Sequence, residues 1–195
     1  MSTTTDTLFE PLTIATAPHA SKPVLESVQK SFGFIPNLMA TFANNPTVLQ
    51  GYLALDAAFE KGSFTPRERQ IILLAASVEN NCDYCAAAHS TIAKGPLHTP
   101  VEVVTAIRNS TPVPDRKLNA LVTLVKELVR QRGYPKYETV QNFMAAGYKK
   151  EQVMELLLGI ALKTISNYLD HISPVPLDPA FVAEAKVSLP LRRAA

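Results

Sequence analysis

Apolar residues along this 195-residue chain recur at three- and four-residue spacing, and no alternating run is long enough to require a strand. The pattern predicts helices throughout. Val24, Leu25, Val28 and Phe32 mark a short helix ended by Gly33. Phe34-Ile35-Pro36-Asn37-Leu38 then restarts the chain, with Pro36 as a first-turn residue and Asn37 as a turn or cap residue. Pro46 opens a longer helix through Val48, Leu49, Tyr52, Leu53, Leu55 and Phe59, closed near Gly62. Thr65-Pro66-Arg67-Glu68 carries a capping box with proline at the first helical position. Ile71 to Val78 is almost wholly apolar, as expected of a helix buried on most sides.

Glu79-Asn80-Asn81 makes a polar break. The next helix holds Cys82, Cys85, Ala86, Ala87, Ala88, His89, Ile92 and Ala93 and ends around Lys94-Gly95-Pro96. Further helices are expected over 99–109, over 115–132 with an amphipathic stripe of Leu118, Leu121, Leu124, Val125 and Leu128, and over 137–146. A long apolar helix follows over 150–171, its stretch Leu156 to Leu162 read as core or subunit interface. A proline-rich end carries one short helix at 179–185. The fifteen prolines fall mostly between these runs, where they punctuate helices. The fold class expected is all-α: one helical domain of about eight helices over 21–185, preceded by an extended or poorly ordered arm at 1–20 and followed by a tail at 186–195.

Composition narrows the function. A net charge of +2, with basic clusters only at Lys149-Lys150 and Arg192-Arg193, gives no footprint for nucleic acid. No apolar run reaches the roughly 18 to 20 residues that span a bilayer. Met1 to Thr7 has no positive n-region and reads as no secretory signal. A cytoplasmic protein with neither nucleic acid nor membrane as partner is expected.

The two cysteines, Cys82 and Cys85, have only Asp83 and Tyr84 between them. A bridge there closes almost no loop and contributes little stability, so chemistry is the better explanation. Cys82, Cys85 and His89 stand at i, i+3 and i+7 and share one helix face. A helix start favours the thiolate, and Cys82, nearest it, should feel this most. His89 can exchange a proton with Cys85, directly or through water, and Glu79 offers a carboxylate that can orient the imidazole. The same C-x2-C-x3-H spacing also supplies three zinc ligands, with a fourth from Glu79, His98, His171 or a second subunit. Asn167 and His171, beside Tyr168, are four apart at the end of the long helix and can share a face, although capping and packing of the helix end before Pro174 is the plainer explanation.

Thr65-Pro66-Arg67-Glu68-Arg69-Gln70, the apolar stretch, Asn80-Asn81-Cys82-Asp83-Tyr84-Cys85 and Ala88-His89 resemble the carboxymuconolactone decarboxylase/alkylhydroperoxidase D (AhpD-like) superfamily. Gly33-Phe34-Ile35-Pro36-Asn37, Asp115-Arg116-Lys117-Leu118 and Ser166-Asn167-Tyr168 extend the likeness to its peroxidase-related branch, over residues 20 to 180. The resemblance implies an all-helical fold assembling into homo-oligomers (dimers, trimers or hexamers), with no organic cofactor; on the residues alone, with too few ligands for a complete zinc site, no metal is expected. It implies a peroxidatic thiol at Cys85, a partner thiol at Cys82 that closes a disulfide, and His89 as proton relay. The family's relay glutamate falls at Gln70, which cannot ionise. Glu68 is turned roughly 200° away on a helix of 3.6 residues per turn, which leaves Glu79 as the candidate replacement. Gln70, Tyr84, Asn167 and His171 complete the supporting set.

The leading expectation is a thiol-dependent peroxidase that takes a hydroperoxide as substrate and an external dithiol as reductant. A lactone decarboxylase working through His89 with Glu79 or His171, Arg67 and Arg69 holding a carboxylate, would leave the cysteines without a role. A non-catalytic redox sensor, whose disulfide changes subunit packing, is the third reading.

Overall fold

A computed structural model describes residues 7–185. Ten α-helices run in the order α1 Lys22–Phe32, α2 Asn37–Phe42, α3 Pro46–Glu60, α4 Pro66–Glu79, α5 Asp83–Lys94, α6 Val101–Arg108, α7 Arg116–Arg130, α8 Tyr137–Ala145, α9 Lys150–Ile172 and α10 Val182–Ala185. Two 3-10 turns, His19–Ser21 and Pro179–Phe181, accompany them, and no strand forms among the described residues. Eight of the ten helices have eight or more residues, matching the periodicity; the short α2 and α10 stand at the restart after Gly33 and in the proline-rich end, where short elements are expected.

The boundaries follow local chemistry. Gly33 ends α1 in the left-handed region at φ 79°, where its N–H reaches Gln29 O. Asn45 caps α3 through the amides of Thr47 and Val48, and Thr65 and Glu68 form the reciprocal capping box at α4. Pro36 differs from expectation. Its ψ of 138° is non-helical, so it caps α2 and Asn37 becomes the first helical residue.

Helix α4 is the axis of the domain. It packs against α5, α6, α7 and α9, and every residue from Ile71 to Glu79 is buried. A helix surrounded on all sides has no polar face, which is why its apolar run is continuous. Helix α9 crosses α3, α4, α5 and α7. Close approach there depends on Gly159, where an added Cβ would lie 2.9 Å from Phe59 Cζ and 3.0 Å from Ile72 Cγ2. Both neighbours are fully buried and have nowhere to move. Gly159→Ala is therefore expected to cost about 1–3 kcal/mol, read as a lowered denaturant midpoint with unchanged slope.

The irregular segment at 7–18 lies along this body. Leu12 N–H donates to Ala40 O at 3.0 Å, Asn44 Nδ2 to Glu10 O at 2.8 Å and Phe9 N–H to Ser173 Oγ at 2.9 Å. The first six residues of the expected arm, the 186–195 tail and Arg192-Arg193 lie outside the described residues. No described helix is long and apolar enough to cross a membrane.

Candidate active site

The site is built at the α4–α5 junction. Helix α4 ends at Glu79, Asn81 turns through φ 58°, and Cys82 N–H closes onto Ser77 O at 3.0 Å. This tight reversal makes Cys82 the N-cap of α5, its Sγ accepting the Cys85 N–H at 3.4 Å. Both thiols are free and essentially inaccessible, at 0% and 1% exposure.

Helix α9 lays a polar row across them. Cys82 Sγ donates to Asp170 Oδ2 at 3.3 Å, and Cys85 Sγ lies 3.9 Å from Ser166 Oγ. Lys163, 1% exposed, hydrogen-bonds Cys85. Tyr52 of α3 reaches Ser166 from the other side, and burial pushes its phenol up to about 12. Asp56, one turn further along α3, is raised to about 6 by burial and by Glu60.

The two thiols are driven apart. Burial opposes the Cys85 thiolate, but the hydrogen bond with Cys82 and the Lys163 ammonium outweigh it and bring Cys85 down to about 6. Burial, the hydrogen bond with Cys85 and the nearby Cys85 and Asp170 charges push Cys82 up. Burial acts against the Lys163 charge, yet Cys85, Tyr52 and Cys82 together raise its pKa, so the ammonium persists. The helix-start expectation is thus reversed. The cap thiol keeps its proton, held by the Asp170 carboxylate, and the thiol inside the first turn gives its proton up.

His89 Nδ1 sits 2.8 Å from Gln70 Oε1. With that amide oxygen as acceptor, Nδ1 carries the ring proton and Nε2 keeps the lone pair. Burial and the Lys163 charge hold the imidazole well below its usual pKa, so it is neutral at pH 7. A carboxylate at position 70 would favour the imidazolium; the amide fixes only the tautomer.

Glu79 does not take the place of the missing carboxylate. Nine residues separate it from Gln70, which is half a turn around α4 and about 13 Å along it. It faces α7 and receives Arg130 Nε at 2.9 Å and Nη2 at 3.3 Å. Tyr84 is buried but committed elsewhere: its hydroxyl donates to Asp178 Oδ2 at 2.5 Å and accepts the Leu38 N–H at 3.2 Å, tying the C-terminal segment to α2. Asn167 is buried beside the site and accepts Asn80 Nδ2 at 2.9 Å, which fixes α9 to the end of α4. His171 is exposed and stacks on Tyr168 at 6.2 Å, so it does not join Asn167. Among the described residues no three His, Cys, Asp or Glu side chains converge to hold a metal ion.

Sequence reasoning missed Lys163, Ser166 and Asp170. The signal was present. Lys163 is the only charged residue between Glu155 and Asp170, and Ser166, Asn167 and Asp170 follow it at i+3, i+4 and i+7. That is a polar stripe on an otherwise apolar helix.

A family model, the carboxymuconolactone decarboxylase family, matches residues 46–127, which contain α4, α5 and both cysteines. No curated protein matches the sequence. Three solved structures share the fold. A peroxidase-related protein from Ralstonia eutropha JMP134, described as an alkylhydroperoxidase AhpD core, superposes with TM-score 0.81 at 20% identity, over 93% of this chain and 97% of the other. A peroxidase-related protein from Silicibacter sp. TM1040 gives 0.78 at 16% identity over 92% and 97%. The debrominase Bmp8, as a cysteine-to-alanine variant in complex with 2,3,4-tribromopyrrole, gives 0.76 at 19% identity over 93% and 99%. The chain is thus all-α and similar in fold to these AhpD-like and peroxidase-related proteins, and its residues 46–127 match the carboxymuconolactone decarboxylase family model.

Proposed function

We propose that the protein is a thiol-dependent peroxidase in which Cys85 is the attacking sulfur and Cys82 the resolving one. The observation that carries this reading is the placing of two neighbouring thiols against unlike partners, Cys85 against the buried Lys163 and Cys82 donating to Asp170 Oδ2 at 3.3 Å, an arrangement that draws the Cys85 pKa down and pushes that of Cys82 up. The Cys85 thiolate attacks the terminal oxygen of a hydroperoxide and the O–O bond breaks. Sulfur is oxidised to the sulfenate, and the departing alkoxide leaves as an alcohol with the proton the hydroperoxide brought. His89 Nε2, unprotonated and one turn from Cys85, is the group suited to move that proton. Cys82 then passes its proton to Asp170 as its sulfur attacks Cys85. The sulfenate oxygen takes up two protons, the one Asp170 received from Cys82 and one from solvent, and departs as water, leaving a disulfide. An external dithiol reduces it by exchange, giving two electrons and its two hydrogens.

The assay is consumption of organic hydroperoxide by the reduced protein with a generic dithiol. Absence of turnover with small and bulky hydroperoxides alike, both cysteines being reduced, would overturn the proposal. Cys82→Ser separates the half-reactions. The variant is expected to consume one hydroperoxide per chain and stop, with one added oxygen on Cys85 seen by intact mass. Continued turnover at the parent rate would remove Cys82 from the cycle.

The likeness to a debrominase favours a second reading with the same electron count. The Cys85 thiolate takes bromine from a bromoarene, the aryl carbanion collects a proton, and Cys82 displaces bromide to close the same disulfide. Bromide release from a brominated pyrrole, without hydroperoxide consumption, would select that reading.

A further inference from the structure

Helices α3 and α9 run antiparallel, and three contacts fix their register. Tyr52 bonds Ser166, Phe59 packs on Gly159, and Ser63, three residues past the end of α3, donates its N–H to Glu155 Oε2 at 2.7 Å. Positions 52, 56, 59 and 63 recur at four, three and four, so Asp56 lies on the α3 side turned to α9, near the level of Lys163. It is partly buried, and it is the only charged residue of α3 before the exposed Glu60 at the helix end. A carboxylate set into a helix–helix contact is costly unless a charge answers it.

The charges that act on Asp56 are Glu60 from its own helix, Lys163 from α9 and Arg69 from α4. Arg69 Nη1 donates to Phe64 O at 2.8 Å. Lys163 hydrogen-bonds Cys85 and, among the described residues, makes no ion pair with any carboxylate. That suits the dithiol form, in which the Cys85 thiolate balances the ammonium. It does not suit the disulfide. Oxidising a Cys82 thiol and a Cys85 thiolate to the disulfide removes two electrons and one proton. The hydroperoxide accepts the electrons and, with that proton and one from solvent, leaves as alcohol and water. The thiolate charge is then gone, and a buried ammonium without a counter-charge is strongly unfavourable. Asp170 is engaged by the Cys82 thiol and the Val175 N–H, and receives the Cys82 proton at this step.

We propose that Asp56 is a positioning residue of the thiol pair, the carboxylate that balances the Lys163 ammonium once Cys85 has entered the disulfide. This role rests on the dithiol–disulfide cycle proposed above and is indifferent to which oxidant drives it. Its sign is fixed. In the dithiol Asp56 competes with the Cys85 thiolate for one ammonium; in the disulfide it is the charge that keeps that ammonium. Neutralising it therefore favours the dithiol and the thiolate together.

The test is the redox equilibrium of the full chain with dithiothreitol, whose two thiols reduce the disulfide and close to a ring. It is paired with the pH profile of Cys85 alkylation. Asp56→Asn, nearly isosteric, is expected to shift the equilibrium about tenfold toward the protein dithiol, about 30 mV more oxidising. The Cys85 midpoint should fall from near 6 by about one pH unit, with unchanged helicity. Asp56→Glu keeps the charge and should leave both near their wild-type values. Asp56→Asn without effect on either quantity would overturn the proposal. So would an equal shift in Asp56→Glu, which would make packing and not charge the cause. Neither measurement uses hydroperoxide, so a chain that turns over no peroxide can still bear the proposal out, and an active peroxidase can still overturn it.

Discussion

Cys85→Ser is expected to abolish hydroperoxide consumption, with turnover lower by roughly a thousandfold or more, about 4 kcal/mol of transition-state stabilisation. The substitution exchanges sulfur for oxygen at a site 1% exposed, so packing is nearly conserved and the helical signal and melting temperature should hold. What disappears is the nucleophile. The same Lys163 that brings a thiol down to about 6 cannot bring a hydroxyl anywhere near neutrality, and an oxygen at that position cannot cycle through a sulfenate. Nor does Cys82 inherit the role. Its proton stays on sulfur, donated in a hydrogen bond to Asp170 and held there by burial, so alkylation of Cys82 in the variant should be slow at pH 7. Retained turnover in Cys85→Ser, or rapid alkylation of the remaining thiol, would show that the division of labour between the two sulfurs is misassigned.

That division was only half legible in the sequence. Local signals placed the helices well, because capping chemistry such as Thr65-Pro66-Arg67-Glu68, the terminating Gly33 and the buried run at Ile71–Val78 each act within a few residues. The spacing of Cys82, Cys85 and His89 likewise put the three on α5 or its cap. What sequence order does not reveal is which distant element faces them. Lys163 and Asp170 arrive on α9, about eighty residues later, and only the crossing of α9 over α5 brings them to the sulfurs. Glu79 erred in the opposite sense. It is near in the chain but half a turn away from Gln70 around α4, so its carboxylate pairs with Arg130. Tyr84, between the cysteines, also points its hydroxyl away, toward Asp178. Proximity along a helix says little without the phase.

Lys163→Met should move the acid limb of the reaction from near pH 6 into the ordinary thiol range. Under the proposed reading the reactive form is the Cys85 thiolate, so activity is expected to rise with pH as the proton leaves near pH 6, and to be lost below. Without the ammonium only the hydrogen bond with Cys82 opposes the burial penalty, and the thiol is expected to return to about the free value of roughly 8.5. At pH 7 the thiolate fraction then falls from about nine-tenths to about 3%, a loss of roughly thirtyfold in alkylation and peroxide reaction rates. Much of it should be regained at pH 9. The variant should remain folded, because an unpaired buried thiolate neutralises by taking a proton rather than by opening the core. Lys163→Arg keeps the charge and should keep the limb near its place, whereas His89→Asn should lower the rate with the limb unmoved, since His89 is neutral and bonded to Gln70. A pH profile measured by iodoacetamide labelling of Cys85 decides between them independently of turnover. If Lys163→Met leaves the midpoint near 6 and His89→Asn shifts it, the imidazole, not the ammonium, ionises the sulfur.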